Sequence, residues 1–230
     1  MKKILLSKWT KVAVFLASLV PLAVIVWRGF HNDLTANPIE YITHTTGDWT
    51  LRFLVLTLAI SPLRKILHQP LLIRFRRMLG LFAFFYVSLH FATWIGLDKF
   101  FNWPEMWKDV LKRPFITVGF AAFVLLIPLA VTSTAGWIRR LGGKRWQLLH
   151  RLIYVTAILG VIHYYWLVKS DVRKPIEYAW IFGILFAWRI GDWLINRRKK
   201  TAAVSIPRKV PSSPETASAL ESSALSGDGR

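Results

Sequence analysis

Six long apolar runs, separated by short polar clusters, make up most of this chain. They cover approximately 10–28, 48–64, 78–97, 115–134, 146–168 and 176–195. Each approaches the ~20 residues a helix needs to cross the hydrocarbon of a bilayer. The pattern predicts an all-α membrane protein, a bundle of six transmembrane helices. The second run, "DWTLRFLVLTLAISPL", is the shortest, and Pro62 near its end biases Ser61 away from helix. The N-terminal stretch "MKKILLSKWTKVAVFLASLVPLAVIVW" has the outline of a signal peptide. Its apolar run continues through Pro21 to Trp27, and it is read as an uncleaved first span.

Composition sharpens this reading. Of 230 residues, 54% are hydrophobic, and the twelve Trp and six Tyr gather near the ends of the runs, where amphipathic rings favour the headgroup layer. The formal net charge of +19 raises the possibility of nucleic-acid binding. The basic residues sit between spans instead of lining one soluble face, so the expected partner is the lipid bilayer and no nucleic acid. Lys2, Lys3, Lys8 and Lys11 precede the first span. Arg64, Lys65, Arg74, Arg76 and Arg77 follow the second, Arg139, Arg140, Lys144 and Arg145 the fourth, and Arg197 to Lys200 the last. The positive-inside rule then places both termini in the cytoplasm, in a bacterial inner membrane, multi-pass. Residues 1–200 form the transmembrane domain. Residues 201–230, rich in Ser, Ala and Pro, read as a disordered cytoplasmic tail.

With no cysteine, thiolate-bound zinc, iron–sulfur clusters and C-x-x-C-H haem attachment are excluded. All twelve carboxylates fall in loops, in the tail or at the ends of the expected spans, which argues against a proton or cation transporter. His31, His44 and His68 read as surface residues of loops. His90, His150 and His163 fall inside spans. His90 lies ~18 Å into its span and His163 at a similar depth in the outer half, while His150 sits ~20 Å from His163 along the axis and about 140° around an ideal helix. Two imidazoles at one depth on two helices suit a planar cofactor ligated from both faces, and haem is the candidate. Zinc or copper would need more ligands. His150 has no histidine opposite: fourteen residues before His90 stands Arg76, beside Arg77. His150 could bind a second haem weakly, contact a flavin or quinone, or bond lipid headgroups. Arg76, Arg77, Arg145 and Arg151 could pair with haem propionates, a flavin phosphate or a quinone carbonyl. Gly160 would let a macrocycle approach, or simply pack against a neighbouring helix.

The stretches "QPLLIRFRRMLGLFAFFYVSLH", "KRPFITVGF", "LAVTST" and "RRLGGKRWQLLHRLIYVTAILGVIHYYWLVK" resemble the MsrQ family, within the ferric-reductase-like transmembrane domains. The likeness spans about 10 to 196 and is most specific from 69 to 169. It implies a b-type haem and an associated FMN. It also implies electrons taken from the quinone pool and passed to MsrP, the periplasmic molybdopterin subunit that repairs oxidised methionine. By position, His90, His150 and His163 match the family's three intramembrane histidines, with His90 and His163 as iron ligands and His150 as a possible one. Di-haem relatives carry a histidine where Arg76 stands, which puts a second bis-histidine haem in doubt. The resemblance makes the chain an electron-carrying subunit, with the sulfoxide chemistry in its partner. Two other readings remain open: a ferric reductase or cytochrome fed by a cytosolic flavin reductase, and a non-redox transporter or assembly factor.

Overall fold

The computed structural model describes residues 7–168 and 170–204, with side chains to 198. Residues 205–230, which hold most of the expected tail, lie outside the described residues. The described chain is helical: α1 Lys8–Phe30, α2 Pro38–Ile66, α3 Ile73–Thr93, α4 Trp103–Lys112, α5 Pro114–Val131, α6 Ala135–Leu141, α7 Gly143–Leu149, α8 Leu152–Leu167 and α9 Arg173–Val204. The chain divides after Arg189 into two compact units, and the first holds the histidines and the helices that pack around them.

Five helical stretches are long and apolar enough to cross a membrane: Lys8–Phe30, Pro70–Asp98, Pro114–Val131, Gly143–Leu167 and Arg173–Arg198. The protein is a multi-pass membrane protein. α2 is long enough, at 29 residues, but more polar. The reason is its position. α2 is lined with buried residues from Thr46 to Pro62, so much of its surface meets protein instead of lipid and need not be apolar. α1, by contrast, exposes Phe15, Leu16, Val20, Val24 and Trp27, a surface suited to acyl chains.

α2 also begins ten residues before the expected 48. Asn37 accepts the Glu40 N–H at 3.2 Å, its Nδ2 donates to Glu40 Oε2 at 3.1 Å, and Pro38 opens the first turn. This N-cap is legible as "NPIE", but the polar residues after it hide the start of a long helix from an apolar-run reading. Two expectations change. His44 lies on a helix, though exposed, and Asp48 lies well inside α2 instead of at a span end. Asp48 is paired there: Arg52 reaches it at 2.6 Å and the Tyr178 hydroxyl donates to it at 2.7 Å.

The expected fifth span is interrupted. α7 ends at Leu149, a turn holds His150 and Arg151, and α8 starts at Leu152. The angle calculated for a straight helix from His150 to His163 therefore does not apply. α6 and α7 meet at Gly142, whose φ of +73° suits glycine. α3 ends in a π-helical turn, Trp94–Asp98. Beyond it, the Lys99 ammonium contacts Glu105 at 2.8 Å and Asp109 at 2.7 Å, fastening α4 to the bundle. Hydrogen bonds to those acids hold Lys99 above the ordinary lysine pKa.

Two antiparallel pairs dominate the packing, α2 with α3 and α5 with α8. Small residues let the helices close: Ala83 and Ala157 are fully buried, and Gly80 faces Thr57. α1 joins through Tyr86 of α3, whose hydroxyl donates to the Ser18 carbonyl at 2.9 Å and accepts the Leu22 N–H at 3.2 Å. Those two backbone groups would ordinarily pair with each other, next to Pro21, so the hydroxyl satisfies a helix loosened by proline.

Removing that hydroxyl leaves a buried donor and acceptor in an apolar setting. Tyr86→Phe is expected to cost about 1–3 kcal/mol, read as a lower midpoint of unfolding in detergent. An unchanged midpoint would show that the hydroxyl does not join α1 to the core.

Candidate functional site

His90 is on α3 and His163 on α8, one from each helix pair. Each is fixed the same way to the partner helix of its own pair. The His90 Nδ1–H donates to the Thr43 carbonyl of α2 at 2.9 Å, and the His163 Nδ1–H donates to the Phe115 carbonyl of α5 at 2.7 Å. A carbonyl oxygen only accepts, so both rings carry their proton on Nδ1 and keep the Nε2 lone pair free.

A glycine four residues after each acceptor makes the approach possible. A Cβ at Gly47 would stand 3.2 Å from His90 Nδ1, and one at Gly119 would stand 2.6 Å from His163 Nδ1. The sequence shows the repeat, "THTTG" at 43–47 and "FITVG" at 115–119. Sequence reasoning misses Thr43, Gly47, Phe115 and Gly119 as site residues, because their part is played through backbone and through the lack of a side chain.

The two imidazole rings lie 6.0 Å apart, centre to centre, and 80° between planes. Both line a cavity of about 590 Å³ between the helix pairs, within the ~300–1,000 Å³ of cofactor pockets. Leu51, Phe91, Phe123 and Leu126 give it apolar walls, and His44 also lines it. Gly160 lines it too, and a Cβ there would meet the tip of Leu51 at 3.1 Å, so this glycine serves the packing of α8 on α2 as well as the cavity wall.

The donor set tests what can bind. Two imidazoles sharing one metal, each about 2 Å from it, bring their ring centres to roughly 6 Å, as found here. Among the described residues no group of three or more His, Cys, Asp or Glu could hold a metal ion. A bare zinc would lack ligands here. A macrocycle that brings four ligands of its own would need only these two imidazoles.

His150 is not with them. It stacks on Trp146 at 3.9 Å, and its Nε2 lies 3.0 Å from the Thr132 hydroxyl. That hydroxyl donates its single proton to the Pro128 carbonyl at 2.6 Å, so it accepts from a protonated His150 Nε2. This is the tautomer opposite to that of His90 and His163. Arg76 lies near His150, and near Arg189, Arg64 and Tyr154. Arg77 is exposed on α3, Arg145 is exposed on α7, and Arg151 is exposed in the turn that follows it.

Residues 46–161 match the family described as ferric reductase like transmembrane component. Several proteins named protein-methionine-sulfoxide reductase heme-binding subunit MsrQ are similar to the chain along most of its length. The one from Herminiimonas arsenicoxydans is 54% identical over 197 residues, 85% of this chain and 90% of that protein. The one from Caulobacter vibrioides is 51% identical, over 84% and 90%, and the one from Rhodospirillum rubrum 51%, over 84% and 92%. No solved structure matches the chain. With half the chain inside the ferric-reductase-like match and full-length relatives at this identity, the protein belongs to the MsrQ family.

Proposed function

We propose that this chain is a b-type haem subunit that carries electrons through a bacterial inner membrane, with His90 and His163 as the residues that would hold the iron. The observation that carries the reading is the pair of Nδ1-protonated imidazoles, 6.0 Å apart across a cavity with no third protein ligand among the described residues. The names of the relatives, which call them heme-binding subunits, support it. A haem held by His90 and His163 would supply one-electron transfer there.

The chain's own residues then have distinct tasks. Thr43 and Phe115 hold the imidazoles by their carbonyls, orienting the rings and raising the basicity of Nε2. Gly47 and Gly119 let the rings reach those carbonyls. Leu51, Phe91, Phe123 and Leu126 exclude water from the space between the rings.

The proposed electron path runs from the quinone pool to the periplasmic MsrP subunit, with both termini cytoplasmic, six spans within residues 1–200 and a tail from 201. His150, Arg76 and Arg77 are assigned to the donor end, with FMN as a second cofactor there. The sequence stretches shared with the MsrQ family support these roles.

A visible spectrum of the purified protein tests the haem reading. The native chain should show a Soret band that shifts on dithionite addition, and His90→Ala or His163→Ala should abolish it. Full haem in either variant sinks the assignment. The glycines grade the second test. Gly119→Ala should weaken haem retention about 10–100-fold, while Gly47→Ala, with its longer 3.2 Å approach, should cost less. Equal retention in both would remove the carbonyl clasp from the reading.

A further inference from the structure

Three arginines lie near one another at the end of the bundle remote from the His90–His163 cavity: Arg64 in the last turn of α2, Arg76 near the start of α3 across the α2–α3 hairpin, and Arg189 on α9, which reaches the Leu58 carbonyl of α2. Arg76 lies near both others and near Tyr154. Arg189 is clamped, with Nη1 donating to the Tyr154 hydroxyl at 2.8 Å and Nη2 to the Leu58 carbonyl at 2.9 Å. Its Nε is buried without a partner, as is the Nε of Arg64. Among the described residues no acid forms an ion pair with any of the three.

Three half-buried guanidiniums at one place repel each other, and buried N–H groups left unpaired are costly. Such a group calls for an anion that accepts several hydrogen bonds at once, which is the geometry of a phosphate. Beside the charges the surface is apolar: Leu63, Ile66, Leu67 and Ile73 are all exposed. Charge set against exposed aliphatic surface, at the ends of membrane-spanning helices, is the form of a headgroup with its acyl chains.

We propose that Arg64, Arg76 and Arg189 form a binding site for a phosphate ester, supplied by an anionic phospholipid headgroup or by a soluble phosphate ester. The site does not depend on the haem reading. It would refine the flavin assignment only if the soluble source proves correct.

The test uses the full chain, purified in detergent and titrated in separate arms with phosphatidylglycerol, with phosphatidylcholine and with inorganic phosphate. Bound lipid is counted by native mass spectrometry, phosphate is followed by the unfolding midpoint, and haem by absorbance in the same samples. The expected result is retention of phosphatidylglycerol over phosphatidylcholine, weakened about tenfold by Arg64→Gln or Arg76→Gln. Arg64→Lys, which keeps the charge but loses the fork, should fall between and guards against loss of fold. Arg140→Gln, which removes an exposed charge elsewhere, should leave retention unchanged. Stabilisation by inorganic phosphate without lipid retention, lost in the same variants, supports the site with a soluble source. Binding of neither, or equal losses in Arg140→Gln, overturns the proposal.

Discussion

The organisation of this bundle depends on one contact made twice: an imidazole N–H donating to a backbone carbonyl of a neighbouring helix, across a glycine. His90 reaches Thr43 over Gly47 and His163 reaches Phe115 over Gly119. Each contact lies within one of the two tightly packed helix pairs, so each ring is fixed within its own pair. A ring so held has one tautomer and one direction. The cavity between the pairs is what remains when both rings point inward.

That arrangement explains where the bundle is tight and where it is open. Alanine and glycine close α2 on α3 and α5 on α8, while the packing between the pairs is lighter and aromatic, as where Phe123 of α5 stacks on Phe91 of α3 at 4.5 Å. In lipid there is little hydrophobic force to drive helices together, so close packing and hydrogen bonds must define the geometry. Tyr86 extends the same logic to α1, bridging two backbone groups beside Pro21.

Much of the fold was legible in the apolar runs, because a helix facing lipid must be apolar and long. The same rule misread α2. A helix that packs much of its surface on protein carries less of that requirement, and its polar first half holds Thr43, His44, Gly47 and Asp48. The N-cap at Asn37–Glu40 was the available signal. His90 and His163 stood out because imidazole in a membrane is costly without a task. Their carbonyl and glycine partners did not, since backbone groups leave no mark in composition and glycine is read first as packing. The break at His150 was equally hidden: Gly142 punctuates the chain eight residues earlier, but nothing in "WQLLHRLIY" announces a turn.

His150 shows how tautomer separates residues that sequence treats alike. All three intramembrane histidines are neutral-ring candidates for the same chemistry. Two donate from Nδ1 and present Nε2 to a shared cavity. The third donates its Nε2–H to a threonine hydroxyl whose own proton is committed to Pro128, and its ring stacks on Trp146. For His150 to ligate through Nε2, the Thr132 bond would have to break and the proton move to Nδ1. Among the described residues, no imidazole is paired with His150 as His163 is with His90. What the far end of the bundle has instead is concentrated positive charge, which favours an anion over a metal.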